Sequence, residues 1–416
     1  MFRRGARRDH VHPAPRRGGR HPAPSARGRI RGPGRPRLLF AAGCVALGAL
    51  AWVAPPAPAL TMDNNTPFAS SSLLIGARWI TPRYDPPGTQ YGDILPTSWA
   101  DDGSLYAMVD DGGLLRRPYR RRRNYYPKRQ WKQFLVRISG EPPHVSFNLV
   151  GRGEALGHVY SNGFVSVYHT FYATRTRNWA YGRFGPFRGL YDIAYSVDRG
   201  RHWIFGAKQF SSRAGNLNWV MEGKDQPNGD GYLYAIANER EFNASNLYLG
   251  RVRPTRRQVP NPDAWQWWNP SNKAQGGWGR DLNLAEPVLS WPDHITYPRM
   301  SFDPGLGRYL LSFSYSYANE SNPATFTGGA ELVVLESPAP WGPYRFVFRE
   351  PYWGPSNGYG GSFPIKWQSA DGRTLWMYWA SNWDITDGGC LARLDCSGRY
   401  GYNLRELRLT VARPAP

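Results

Sequence analysis

The sequence predicts an all-β fold, a five-bladed β-propeller behind an N-terminal signal or anchor segment, and three observations predict it. Glycine (46) and proline (37) are abundant, 18 Trp and 25 Tyr make the chain strongly aromatic, and no long stretch beyond the first 60 residues has helical apolar periodicity. Turn glycines recur at Gly103, Gly163, Gly229, Gly305 and Gly372, at spacings of 60, 66, 76 and 67 residues. Alternating aromatic and aliphatic residues follow each one, so each unit reads as one four-stranded blade.

The N-terminal element spans residues 1–60. Residues 1–37 hold 12 Arg against the single Asp9, Leu38 to Ala54 is a 17-residue apolar run, and Pro55-Pro56-Ala57-Pro58-Ala59 follows. A basic leader, an apolar run and small residues make a secretory signal, and the run is slightly short for a ~30 Å hydrocarbon layer. Retention as a membrane anchor through 38–54 is the alternative. Either reading places the propeller, residues 71–413, outside the cytoplasm. Export makes a disulfide between Cys390 and Cys396, the two cysteines of that body, the natural expectation. A metal site would need a second Cys or His pair nearby.

The formal net charge of +21 invites a nucleic-acid reading, and its distribution argues against one. Residues 1–37 carry +11 and the segment Arg116 to Lys132 carries +9, so the rest of the chain is close to neutral. No physiological nucleic-acid partner is expected of an exported protein with so local a patch, and a monomer is expected. The basic segment, with Arg120, Arg121, Arg122 and Arg123 at its centre, suits an anionic envelope polymer or lipid surface.

The first blade opens on the stretch Tyr91 to Gly113. Asp102-Gly103 suits a tight hairpin turn, flanked by Ile94, Pro96 and Trp99 before it and Leu105, Tyr106, Met108 and Val109 after it. Asp93 and Asp111 lie almost equally far from that turn, which predicts both carboxylates at the open end, sharing a site, with Asp110 on the opposite face. In the second blade, Ser196-Val197-Asp198-Arg199-Gly200-Arg201-His202-Trp203 fits the Ser-x-Asp-x-Gly-x-x-Trp pattern called an Asp-box. Ser196 and Asp198 would cap its turn while Trp203 packs beneath. Pairing of Leu73-Leu74-Ile75 with Leu404 to Val411 would close the ring and remove the open sheet edges.

The hairpin at Tyr91 to Gly113, together with FDPGLGRYLLSFSYS, ESPAPWGPYRFVF and GGSFPIKWQSADGRTLW, resembles the bacterial DUF4185 family of secreted five-bladed propellers from about Gly76 to Val411. The family's Gly-Asp-Leu-Trp-Pro-Thr segment corresponds to Gly92-Asp93-Ile94-Leu95-Pro96-Thr97, and its second Asp falls on Asp111. Some members are endo-D-arabinanases, which cut the D-arabinan of mycobacterial cell walls with acidic residues of the first blade. The resemblance therefore implies a glycoside hydrolase with Asp93 and Asp111 as its catalytic pair. Two departures stand out: Val109-Asp110 replaces the usual Trp-Gly before the second acid, and the basic segment follows directly.

Glycoside hydrolysis needs two carboxyl groups flanking the scissile bond, one to protonate the leaving oxygen and one to attack or to activate water. Strand ends of the other blades would bring His169, Asn238, Glu239, Arg299, Tyr315 and Asn382 to the same mouth, with Glu239 a reserve acid and Arg299 a sugar or carboxylate clamp. Trp353 and Trp383 are candidates for stacking on sugar faces. No phosphate loop, nucleophile elbow or His-Glu-x-x-His motif is present, so no cofactor is implied, and a structural calcium stays open. The alternatives to a polysaccharide hydrolase are a non-catalytic glycan-binding propeller and a surface adhesion protein.

Overall fold

The computed structural model describes residues 60–81, 90–114, 131–157, 160–176, 191–226, 229–240, 242–317, 329–353, 358–381 and 401–412. The leader, the apolar run 38–54, the basic residues 116–130, Asn382, Trp383, Cys390 and Cys396 lie outside them. No helix among the described residues is long and apolar enough to cross a membrane.

Antiparallel pairing between sequence neighbours builds nearly all of the structure. The first strand, β1 (Leu74–Trp79), waits for a partner at the far end of the chain. Next, β2 (Gln90–Asp93) and β3 (Thr97–Trp99) both pair with β4 (Leu105–Leu114), and β5 (Trp131–Glu141) and β6 (His144–Glu154) complete that sheet. A three-stranded sheet follows, made of β7 (Phe164–Val167), β8 (Thr170–Thr176) and β9 (Tyr191–Ser196).

The third group runs β10 (Asn216–Met221), β11 (Leu233–Asn238), β12 (Ala244–Val252), β13 (Gln266–Trp268) and β14 (Trp278–Gly279). The fourth runs β15 (Leu289–Asp303), β16 (Arg308–Ser316), β17 (Ala330–Ser337) and β18 (Arg345–Glu350). Two contacts join these groups into one nine-stranded sheet: parallel pairing of Val220 and Met221 with Met300 and Ser301, and pairing of β12 with the first half of β15. The last sheet holds β19 (Tyr359–Ser362), β20 (Thr374–Ala380) and β21 (Asn403–Val411), and β1 adds to its edge with Leu74 opposite Val411 and Trp79 opposite Leu407. N- and C-terminal strands thus share one sheet, which shields the edge that β21 would otherwise expose.

The inner strands β3, β7, β10, β15 and β19 contribute Thr97, Phe164, Asn218, Arg299 and Ser362 to the wall of one small cavity. Apolar side chains fill the spaces between sheets. One core cluster joins Ile94, Leu95, Val109 and Phe134 of the first sheet to Tyr297, Tyr359 and Tyr378, directly under the strand end that carries Asp93.

One turn expectation fails. Gly103, Gly305 and Gly372 lie in or beside hairpin turns, and Gly305 and Gly372 pack so closely that a Cβ on Gly305 would meet the Gly372 nitrogen at 2.2 Å. Gly163 instead precedes β7, where its carbonyl accepts from the Thr174 N–H at 2.9 Å. Because β7 is only four residues long, the chain reverses at Tyr168 and His169, whose φ values of 46° and 59° place both in the left-handed region. The turn glycines are therefore split between the two strand ends.

Candidate functional site

The hairpin register moves the carboxylates from their expected places. Tyr91 pairs with Gly113, but Asp93 pairs with Asp110, and the irregularity between the two pairs is a bulge that contains Asp111. Gly92 permits it: with φ of 126°, a Cβ there would lie 2.5 Å from the Asp110 carbonyl oxygen. Counting from the turn fails by one residue before the bulge is reached: Thr97 pairs with Ala107 and Asp93 with Asp110, so Ile94, Leu95 and Pro96 stand opposite only Met108 and Val109, and the bulge then restores the count at Tyr91.

Three carboxylates thus occupy one strand end in three environments. Asp93 is half-buried, and its Oδ2 accepts from the Tyr359 hydroxyl at 2.8 Å. Asp110 is 1% exposed, and its Oδ2 accepts from the Ser161 N–H at 2.9 Å. Asp111, with its side chain 42% exposed, accepts from Lys132 Nζ at 3.0 Å and from the Tyr160 hydroxyl at 3.3 Å. Lys132 also donates to the Tyr160 oxygen at 2.6 Å. Burial works against the Lys132 charge, but the hydrogen bonds with Tyr160 and Asp111 outweigh it and raise the ammonium pKa.

Left-handed backbone occurs here, as it does around the Tyr168–His169 turn. Ile94, Leu95, Asp111 and Tyr297 have φ values of 63°, 52°, 43° and 46°. Left-handed backbone is disfavoured for side chains beyond glycine, most of all for a β-branched one such as Ile94. It persists where surrounding structure enforces it, and such residues cluster at functional sites. The enforcement at Ile94 is visible: its carbonyl accepts from Arg299 Nη2 at 2.9 Å.

The other expected residues distribute unevenly. Arg299 reaches this strand end from below, donating through Nη1 to the Asn162 carbonyl at 3.1 Å, but at 5% exposure it braces two loops and cannot clamp a sugar. Asn238 ends β11 opposite Asn216, and its Nδ2 donates to the Arg240 carbonyl. The Glu239 carboxylate accepts from the N–H groups of Ser245 at 2.7 Å and Asn246 at 3.3 Å, the work of a hairpin cap and not of a reserve acid.

His169 lies at the opposite strand end. Its side chain is 77% exposed at the β7–β8 turn, with Nδ1 2.8 Å from Asp101 Oδ2, next to the Gly103 turn. Tyr315 stacks on His294 with ring centroids 4.1 Å apart and meets Tyr317 edge-on. Trp353 is 1% exposed and belongs to the core, which removes it as a sugar platform. In the turn after β9, Asp198 Oδ1 takes the Ser196 hydroxyl and the His202 N–H at 2.8 and 2.9 Å, so its carboxylate is engaged locally.

Sequence reasoning missed Lys132, Tyr160 and Tyr359. Lys132 is the last residue of the basic segment and could have been separated from it by its place at the head of an alternating strand. Tyr160 and Tyr359 precede or open inner strands, with no local signal. Among the described residues no cluster of three or more His, Cys, Asp or Glu could hold a metal ion.

No family model matches the chain, and no curated protein matches it. Among solved structures it is similar to an α-L-arabinofuranosidase from Podospora anserina, at 9% identity over 82% of this chain and 96% of that one, with a TM-score of 0.40. It is similar to a GH43 enzyme from Xanthomonas citri at 11% identity, over 80% of this chain and 93% of that one, with a TM-score of 0.43. A GH32 β-fructofuranosidase from Bombyx mori gives 12% identity, 80% and 66% coverage and a TM-score of 0.44. Likenesses this loose carry neither a substrate nor a residue's role to this chain.

Proposed function

We propose that the chain is an exported five-bladed propeller of the DUF4185 kind and a glycoside hydrolase of endo-D-arabinanase type, with Asp93 and Asp111 as its carboxylate pair. The blade reading rests on the five antiparallel groups whose inner strands line one cavity and on β1 completing the last sheet. Asp110 is the direct partner of Asp93 in the ladder, yet it is buried, whereas Asp93 and Asp111 both retain exposure at the strand end.

The observation that carries the reading is the bulge at Asp111. A bulge re-aims a side chain, and this one aims a carboxylate at a lysine and a tyrosine beside a second carboxylate. A purely structural strand-end Asp needs neither the left-handed backbone nor two side-chain donors holding it. In the proposed reaction one of the pair protonates the departing sugar oxygen while the other attacks the anomeric carbon or activates water. Lys132 and Tyr160 are positioning residues that fix Asp111.

The test is incubation of the purified protein with a panel of D- and L-arabinans and control polysaccharides, followed by oligosaccharide analysis. Internal cleavage of D-arabinan, absent in Asp93→Asn, is expected. Binding to a polysaccharide without release of any product would replace this reading with a glycan-binding propeller.

A further inference from the structure

The small cavity walled by the inner strands holds an unbalanced set of polar groups. Asn218, Trp219 and Arg299 line it and are 1%, 2% and 5% exposed. Both amide atoms of Asn218, the Trp219 indole Nε1 and Arg299 Nε are buried without a hydrogen-bond partner among the described residues. Arg299 has only neutral partners, the carbonyls of Asn162 and Ile94, and the carboxylate of Asp110 acts on it through space. Burial disfavours its charge and lowers its pKa.

Buried donors are satisfied in folded proteins, by protein or by a guest, and a buried charge needs a counter-charge. Three of the four orphan atoms are donors, and one belongs to a cation. A water has two lone pairs, so it leaves one of the three donors unmet, and it brings no charge to a guanidinium that the Asp110 carboxylate reaches only through space. A monatomic anion answers all three donors and the charge together, and the space holds roughly one water-sized guest.

We propose that this cavity binds a monatomic anion, chloride in a saline medium, held by Arg299 Nε, Asn218 Nδ2 and Trp219 Nε1. The ion links the inner strands β10 and β15. This site does not depend on the catalytic reading and stands or falls without it.

Two measurements decide it. Crystals of the wild-type protein soaked in sodium bromide are expected to show an anomalous peak in this cavity beside Arg299 and Asn218. Thermal melting at constant ionic strength is expected to rise saturably, by at least ~2 °C, as gluconate is replaced by chloride. Asn218→Asp supplies the negative charge covalently and is expected to melt independently of chloride. No bromide in the cavity, or melting indifferent to chloride in the wild type, overturns the proposal, as does undiminished chloride dependence in a folded Asn218→Asp variant. If that variant does not fold, the bromide map of the wild type decides alone.

Discussion

Asp93 faces Asp110 across the first hairpin, and the Asp111 that equal counting selects sits in a bulge, held by Lys132. One extra residue separates a buried carboxylate from an accessible one on the same strand. The two neighbours should therefore respond differently to the same substitution.

Asp93→Asn and Asp111→Asn are each expected to reduce arabinan hydrolysis at least ~10²-fold while the protein stays folded, since each removes an acid or base and keeps its shape. Asp110→Asn is expected to act on stability instead, by about 1–3 kcal/mol, because it weakens a buried hydrogen bond to Ser161. Rate assays beside denaturant melts distinguish the two classes. A normal rate in folded Asp111→Asn would remove that residue from the mechanism.

Lys132→Met should lower kcat by roughly 10- to 10²-fold through a displaced Asp111, with a smaller effect on KM. Lys132→Arg should recover part of the loss and Tyr160→Phe should cost less than Lys132→Met. Steady-state kinetics of the three variants check this ordering, and a change confined to KM would point to substrate binding by Lys132.

Stability should fall as pH rises through the neutral range. Burial pushes the Asp303 carboxyl up to about 6, against hydrogen bonds from the Leu306 and Gly305 N–H groups. Burial likewise pushes Glu350 up to about 7, against Arg405 and Trp79. Carboxyls whose pKa is raised on folding add stability that is complete below their unfolded values, near ~4, and lost as pH rises through 6 and 7. Asp101 works in the opposite sense: the hydrogen bond from Arg199 lowers it to about 2, giving stability that is present above ~4 and lost as pH falls toward 2. Melting temperatures measured from pH 4.5 to 7.5 should decline, and Asp303→Asn should flatten the decline; an unchanged slope would refute the assignment.

Closure by β1 should matter to the whole molecule. Leu74 is 1% exposed and packs in the cluster that joins the last two sheets, so Leu74→Ala is expected to cost about 2–5 kcal/mol. Ile75→Ala, one residue on and 54% exposed, should change stability by less than ~0.5 kcal/mol. Equal effects in a chemical denaturation experiment would mean that β1 is not a cooperative part of the fold.

Local pattern alone determined the strands. Alternating apolar residues and Asp-Gly or Pro-Gly turns set the hairpins of β3–β4 and β15–β16 and the turn that enters β20, and the apolar runs at Leu74 and Leu404 to Val411 marked the closing pair, because side-chain period and turn chemistry act over a few residues. The same pattern pointed to the strand end bearing Asp93. Tertiary structure alone decided which acids meet there. An extra residue among Ile94, Leu95 and Pro96 shifts the register without altering composition, so Asp110 takes the ladder place opposite Asp93 that equal counting gives to Asp111. Contacts between distant segments decided the rest: Tyr359 reaches Asp93 across 266 positions, Arg299 reaches the Ile94 carbonyl across 205, and His169 is carried to the far end by a strand of four residues. Sequence periodicity is blind to such pairings because they depend on how sheets stand beside one another, and neither partner carries a mark of the other in its neighbours.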